Sequence, residues 1–267
     1  MTVITTLMTN SCTVHACDSL ITSIDQGGNR VPQEYSRSKI IKIEKYKGAI
    51  SYFGLARYQN FSTIDWLTDR LIDTKSKTAE EYAQFLCDKL NEEFARLGIN
   101  GNENFQLGLH FSCYEEVEGV NIPELFFIHN LIPQPDTNPY NFTFSRDTYQ
   151  SLTNEAYNPS HSSKEYRLAV GNYVNTKGLI WFNNGDPTLF VPAANAIFSA
   201  FMNLNRRNYL IQPFGPKECR LMARRPVEII KAAQRDFCAS GKILVGGKIH
   251  DISVTPNGVY ESSTGDV

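Results

Sequence analysis

The chain has 267 residues, a formal net charge of −2 and 42% hydrophobic residues, which is enough apolar material for a sizeable core. Lysine and arginine form no basic stripe, which argues against nucleic acid or an anionic membrane as a partner. No apolar run approaches the roughly 18 residues of a membrane span. The first residues also lack the pattern of a signal peptide. We therefore expect a cytoplasmic protein.

The cysteines and histidines form no pattern typical of a metal site. No two cysteines make a CxxC pair or a zinc-type spacing, and the five histidines are scattered without an HExxH motif. We expect reduced, mostly buried thiols and predict neither a metal nor an organic cofactor. The six cysteines are Cys12, Cys17, Cys87, Cys113, Cys219 and Cys238.

The chain begins with two strand-like runs. Residues 2–7 are β-branched or apolar, residues 13–17 repeat that character, and Asn10-Ser11 between them is a turn signal. This pattern predicts a β-hairpin at the very N-terminus. After a polar loop, KIIKIEKY from Lys39 and GAISYFGLA from Gly48 read as two more strands.

Two helices are predicted next. The first spans about Asn60 to Asp73, where apolar residues recur near helical spacing. The second spans about Thr78 to Leu97. Thr78 is followed three residues later by Glu81, which is the sequence signature of a capping box.

The remaining elements alternate in blocks. FQLGLHFSCY, ELFFIHNLI, YRLAVGNYV and KGLIWF are predicted as strands, and residues 133–166 as a loop insertion rich in Pro, Asn, Ser and Thr. Helices are predicted over about Val191 to Leu204 and about Pro226 to Cys238, the second opened by its proline. KIHDISVT, a PNG turn and VYES form a final strand pair. Blocks of strands and helices favour an α+β fold with helices on antiparallel sheets.

A constellation of residues extends from the first hairpin to the fourth strand-like run. Thr2 and Asp18 are 16 positions apart, Ser19 follows Asp18, Lys39 opens KIIKI, and SYFGLA contains Gly54. Near the C-terminus, RDFCASG is followed by a VGG run and the final hairpin. In these motifs the chain resembles the proteasome β-subunit-like family of the N-terminal nucleophile (Ntn) hydrolases. Its length and its NNGDP turn are more similar to the bacterial ancestral-type β-subunit homologues.

The resemblance implies a fold and a domain organisation. Residues 1–267 would form a single Ntn-hydrolase domain with a loop insertion at about 133–166. Its architecture would be a four-layer αββα sandwich, with two antiparallel sheets flanked by helices.

The resemblance also implies that Thr2 is the catalytic nucleophile. A threonine hydroxyl is a poor nucleophile until a base takes its proton, and the α-amine of the same residue, with a reference pKa of about 7.7 to 8.0, suits that role. Such an amine exists only after Met1 has been removed. Lys39 would favour the ionised hydroxyl by its positive charge, and Asp18 would hold Lys39 in place as a paired charge.

Three further residues complete the implied catalytic set. The N–H group of Gly54 would donate to the developing oxyanion. Asp236 and Ser240, in the RDFCASG run, would position the terminal amine.

The expected function is amide-bond hydrolysis by a threonine-type endopeptidase acting on peptides or unfolded proteins. The resemblance implies a self-assembled homo-oligomer and an ATPase as a partner. Two alternatives stay open: a catalytically inactive scaffold or binding subunit, and a small-amide Ntn acylase. Three departures from the family pattern favour the inactive form: no Gly-Ser-Gly-Ser segment, Leu20 in place of the usual arginine, and one extra residue before Ser240.

Overall fold

A computed structural model provides the fold. It describes residues 3–24, 30–34, 37–71, 75–131, 140–146, 164–177, 179–185, 190–207, 215–237 and 245–261. Among the helices in these ranges, none combines the length and the apolar character needed to cross a membrane.

The first of two five-stranded sheets, sheet I, contains both termini of the described chain. Its strand order is β12-β1-β2-β13-β14, and every neighbouring pair is antiparallel. The bounds are β1 Ile4–Met8, β2 Thr13–Asp18, β12 Ile180–Asn184, β13 Ile249–Thr255 and β14 Gly258–Glu261. The predicted N-terminal hairpin is confirmed, because β1 and β2 pair directly and Ile4 lies opposite Cys17.

The second sheet, sheet II, is built from the middle of the chain. Its strand order is β11-β10-β9-β6-β5, again antiparallel throughout. The bounds are β5 Ile40–Ile43, β6 Gly48–Gly54, β9 Leu107–Val117, β10 Val120–His129 and β11 Thr143–Arg146. Two small antiparallel pairs complete the strands: β3 Ile21–Ile24 with β4 Arg30–Glu34, and β7 Arg57–Tyr58 with β8 Phe61–Ser62.

The helices cover the outer faces of the two sheets. Their bounds are α1 Thr63–Leu71, α2 Ala79–Arg96, α3 Lys164–Lys177, α4 Phe190–Arg206 and α5 Pro216–Phe237. Side chains of α1 and α2 share one apolar cluster with β6 and β9, whereas α4 and α5 share clusters with β1, β2 and β12. Between the sheets, Ile4 and Cys17 of sheet I pack with Ala49 and Phe53 of sheet II. The expected α+β fold with two antiparallel sheets flanked by helices is confirmed.

The capping box predicted for the second helix is present. The Thr78 hydroxyl accepts the N–H of Glu81 at 3.1 Å, and the Glu81 carboxylate accepts the N–H of Thr78 at 3.3 Å. Two N–H groups that a helix N-terminus otherwise leaves unsatisfied are therefore bonded within the box. This fixes the start of the longest helix on sheet II.

The prediction of a strand at YRLAVGNYV was wrong, because these residues lie in α3. The segment is rich in β-branched and aromatic residues, which favour strands in isolation. In the structure Leu168 and Val174 pack in one cluster with the β9–β10 hairpin, and Gly171 between them also faces Ile122 of β10. Arg167 of the same helix pairs with carboxylates of β9 and β10. Packing of these helically spaced residues against β9 and β10 therefore overrides the strand propensity of the segment.

The predicted start of the last helix was also wrong. Pro226 lies inside α5, which begins ten residues earlier at Pro216. The first-turn preference for proline does apply, but to Pro216. Because Met222, Ala223 and Val227 are buried on one face, packing holds the helix together across the hydrogen bond that Pro226 cannot donate.

A polar cluster lies between the two sheets. His15 bonds Ser51 through Nδ1 at 2.8 Å and Ser112 through Nε2 at 2.6 Å. His110 bonds the Thr6 hydroxyl at 2.8 Å, and burial lowers the pKa of both histidines to about 3. Both imidazoles are therefore neutral, hydrogen-bonded parts of the core.

The capping box generates a stability prediction. Thr78→Ala removes the oxygen that accepts the Glu81 N–H, and we expect it to lower the free energy of unfolding by about 1 kcal/mol. Urea denaturation measures this change. Thr68→Ala is the matched control, because Thr68 is exposed in α1 and its hydroxyl bonds the Ile64 carbonyl of its own helix. The control should change stability by less than about 0.5 kcal/mol; an equal effect of both substitutions would contradict the capping role.

The buried histidines generate a pH prediction. Their folded-state pKa of about 3 lies below the unfolded value of about 6.5, so below that value the unfolded chain binds protons that the folded protein does not. Stability should therefore fall as the pH drops. Each histidine contributes about 1.4 kcal/mol of loss between about pH 7.5 and about pH 5.5. Denaturation of His15→Gln and His110→Gln at both pH values should show a smaller loss than the parent protein, and an unchanged loss would refute the assignment.

Candidate functional site

A buried ion pair lies at the end of sheet I where β1 begins and β2 ends. Lys39 Nζ is 3.1 Å from Asp18 Oδ1, and both side chains are 0% exposed. Asp18 is the last residue of β2, and Lys39 directly precedes β5 of the facing sheet. The pair therefore joins the two sheets at one edge of the sandwich.

The Asp18 carboxylate accepts four hydrogen bonds. Oδ1 accepts the Val3 N–H at 3.2 Å as well as Lys39 Nζ, while Oδ2 accepts the N–H groups of Leu20 and Gly246 at 3.2 Å each. A buried carboxylate needs such partners because it has lost its water. The bond to Val3 matters most for function, because Val3 follows Thr2 directly in the chain.

Lys39 is held at two points besides the ion pair. Its Nζ donates to the Leu20 carbonyl at 2.6 Å, and its own carbonyl accepts the Tyr52 N–H at 3.2 Å. The side chain thus points at the Asp18–Leu20 segment while its backbone extends the pairing of β5 with β6. Leu20, which stands where the family has an arginine, is itself fully buried and contributes through its backbone.

Gly54 lies at the end of β6, two residues beyond the residue that bonds to the Lys39 carbonyl. Its φ is +92°, and a Cβ at this position would lie 2.3 Å from the Gln106 carbonyl oxygen. Glycine is therefore required by the backbone conformation and by the close approach of β9. This requirement accounts for the glycine whether or not its N–H group faces a substrate.

Asp236 lies near the C-terminal end of α5 and faces solvent. Its carboxylate bonds the neighbouring Arg235 guanidinium at 2.7 and 3.1 Å, and this contact lowers the pKa of Asp236. Thr2 and Ser240 lie outside the described residues. Among the expected site residues within the described ranges, the structure brings Asp18 and Lys39 into direct contact.

Gln234 is a site residue that the sequence analysis missed. It is 1% exposed, and its Oε1 accepts the Val245 N–H at 2.9 Å. The next residue, Gly246, donates to Asp18 and accepts the Leu20 N–H at 3.1 Å. Gln234 therefore links the end of α5 to the Asp18 carboxylate through the adjacent residues Val245 and Gly246. No local sequence pattern signals this role, because the Val245 N–H that Gln234 accepts is a backbone group 11 residues further along the chain.

The charged groups and hydrogen-bond donors of this site determine which chemistry it can support. The site places the Lys39 ammonium, paired with the Asp18 carboxylate, in a buried position beside the first residues of β1, where its field is screened less than at the surface. In the described ranges, no group of three or more His, Cys, Asp or Glu side chains is arranged to hold a metal ion. The chemistry available here is that of a fixed ammonium group and backbone N–H donors.

Comparisons with known proteins find likenesses among solved structures. The chain resembles the solved structure of Anbu (ancestral beta-subunit) from Yersinia bercovieri, with a TM-score of 0.50 and 13% sequence identity over 98% of this chain and 86% of that one. No family model matches the sequence, and no curated protein matches it either. At this identity the likeness shows the fold alone, an α+β sandwich of two antiparallel sheets with helices, as in the Ntn-hydrolase fold.

The buried pair predicts strong coupling between Asp18 and Lys39. Asp18→Asn or Lys39→Met alone leaves the other charge buried without its partner, and we expect each to lower the free energy of unfolding by about 3–5 kcal/mol. The double variant should lose less free energy of unfolding than the two single variants lose together, by about 1 kcal/mol or more. Urea denaturation of the four proteins gives this coupling energy.

An exposed pair provides the control for this cycle. Lys89 and Glu92 form an ion pair on the surface of α2, with 33% and 63% of their side chains exposed. The corresponding cycle of Lys89→Met and Glu92→Gln should give a coupling of about 0.5 kcal/mol or less. Additive losses at Asp18 and Lys39 would show that they do not act as a pair.

Proposed function

We propose that the protein is an amide-bond hydrolase of the proteasome β-subunit-like branch of the Ntn hydrolases, with the Thr2 hydroxyl as nucleophile after removal of Met1. One observation supports this above all others. The Asp18 carboxylate binds both the Lys39 ammonium and the N–H of Val3, the residue that follows Thr2. A charge pair at this position serves the first residue of the mature chain.

Activation of Thr2 combines two groups in this proposal. The free α-amine accepts the hydroxyl proton, because its pKa of about 7.7 to 8.0 lies close to working pH. Lys39 carries three N–H donors, and two of them bond Asp18 and the Leu20 carbonyl. The third donates toward the Thr2 oxygen and favours its anionic form.

The reaction then follows the covalent route of acyl transfer. The Thr2 oxygen attacks the carbonyl carbon, and the proton held by the amine passes to the departing amine of the substrate. The acyl-enzyme that remains is hydrolysed by water, which the same α-amine activates. The Gly54 N–H donates to the oxyanion, a contribution of about 3 kcal/mol in other hydrolases. The resemblance gives Asp236 and Ser240 the role of holding the amine, and the Asp236 carboxylate, which faces solvent and bonds Arg235, would have to turn from Arg235 to fill it.

The substrates in this proposal are peptides or unfolded proteins, and the protein acts as a cytoplasmic homo-oligomer with an ATPase partner. The cytoplasmic location comes from the composition of the chain, and the substrates, the assembly and the ATPase come from the resemblance in sequence. Sedimentation of the purified protein and affinity isolation from its own cells test the assembly and the ATPase.

An inactive scaffold or binding subunit is the second candidate function. The observation that favours it is the position of Asp236, whose carboxylate faces solvent and bonds Arg235. In a scaffold the Asp18–Lys39 pair would serve stability alone. A small-amide acylase uses the same nucleophile and differs only in its substrate.

Substitution of Thr2 is the direct test. Thr2→Ala removes the hydroxyl but keeps a small residue at which Met1 can be removed, and we expect hydrolysis to fall at least about 1000-fold. Thr2→Ser keeps a hydroxyl and should retain measurable activity. Hydrolysis is measured with a mixture of fluorogenic peptides and, separately, of N-acylated amines, which distinguishes a peptidase from an acylase.

Thr68→Ala serves again as the matched control, since the exposed Thr68 lies in α1 and takes no part in the site. It should leave the rate unchanged. Thr2→Ala should also leave the free energy of unfolding within about 0.5 kcal/mol of the parent protein. A parent protein that hydrolyses neither substrate class, or a fully active Thr2→Ala variant, would contradict the proposal.

A further inference from the structure

Two cysteines that are distant in sequence meet where the first hairpin contacts the last helix. Cys12 lies directly before β2, and Cys219 lies in the first turn of α5. Both side chains are 0% exposed thiols that share one apolar cluster with Leu7 and Met222. Neither residue contributes to the hydrolase site, so their juxtaposition requires its own explanation.

Both sulfur atoms lie next to the same hydroxyl group. Thr9 Oγ1 is 3.7 Å from Cys12 Sγ and 3.9 Å from Cys219 Sγ. The hairpin turn fixes this oxygen, because it accepts the Cys12 N–H at 3.1 Å and donates to the Cys12 carbonyl at 3.0 Å. The turn therefore fixes the hydroxyl that both thiols approach.

The pair is also chemically unequal. The adjacent Cys219 thiol lowers the pKa of Cys12, and the adjacent Cys12 raises the pKa of Cys219. In contrast, burial raises the pKa of Cys17 and of Cys87 to about 12. Cys12 is thus suited to act as the attacking thiolate, with Cys219 as the thiol that resolves the product.

We propose that Cys12 and Cys219 form a reversible disulfide when the protein meets hydrogen peroxide, which locks the first hairpin to the first turn of α5. The proposal stands independently of the hydrolase function. Asn10 and Ser11 beside the pair are exposed and half-buried, so a small opening of the turn admits the oxidant.

The chemistry balances in two steps. The Cys12 sulfur attacks one peroxide oxygen, the O–O bond breaks, and the departing hydroxide takes up the thiol proton to become water, which leaves a sulfenic acid on Cys12. The Cys219 sulfur then attacks the Cys12 sulfur. The S–S bond forms, the S–O bond breaks, and a second water leaves with the Cys219 proton. Two electrons pass from the sulfurs to the peroxide.

The test is oxidation of the full-length protein. The folded protein is treated with hydrogen peroxide, residual thiols are alkylated, and the mass and the peptide map are recorded with and without reductant. We expect loss of two hydrogen atoms and a peptide pair joining Cys12 to Cys219 that reductant separates. The cross-link constrains the unfolded chain, so the melting temperature should rise by roughly 5 °C or more.

Variants distinguish this pair from the other cysteines. Cys12→Ser and Cys219→Ala should each abolish the cross-link and the rise in melting temperature. Cys87→Ala, which alters a buried cysteine of α2, should leave both unchanged. The proposal is overturned if peroxide leaves Cys12 and Cys219 open to alkylation after unfolding. A cross-link between other cysteines, or sulfinic acid on Cys12 without a cross-link, overturns it as well.

Discussion

The rest of the site depends on one constraint, which is that the charged side chains of Lys39 and Asp18 are both buried away from water. Charges in such a position destabilise a fold unless every acceptor and donor finds a partner. Here the Asp18 carboxylate collects N–H groups from Val3, Leu20 and Gly246, and Lys39 adds its ammonium. The start of β1, the end of β2, the start of β5 and the segment before β13 therefore converge on one carboxylate. Polar bonds hold the two sheets together at this edge, and elsewhere the hydrogen bonds of His15 and His110 join apolar packing in doing so.

Helix α5 supports this edge from outside the sheets. Its buried face packs on β1 and β2, and its last turns bring Gln234 to the chain that bonds Asp18. At its other end Cys219 meets Cys12 below the hairpin turn. Helix α5 therefore contacts the first hairpin at both of its ends. Gln234 reaches the segment that bonds Asp18, and Cys219 lies beside Thr9 and Cys12 at the hairpin turn. A disulfide at the far end would tighten the scaffold that positions the ion pair.

The sequence predicts local features well where the signal is local. The N-terminal hairpin and the Thr78 capping box follow from turn and cap residues that are neighbours in the chain. The contact of Asp18 with Lys39 was expected from the resemblance, since no spacing rule joins those positions. YRLAVGNYV was assigned to a strand because its helical face appears only when the β9–β10 hairpin is present to cover it. Gln234, and the meeting of Cys12 with Cys219, depend on contacts between distant segments, which a single sequence does not display. Thr2 and Ser240 remain predictions.

The central claim is that the Asp18–Lys39 pair serves a catalytic threonine with a free amine. The most direct measurement is the N-terminal residue and intact mass of the protein isolated from its own cells. The account predicts a chain that begins at Thr2 with an unmodified α-amine, because that amine is the base for the hydroxyl. A mature protein that retains Met1, or carries a blocked Thr2, would contradict it. The buried pair would then be a structural element of an inactive scaffold.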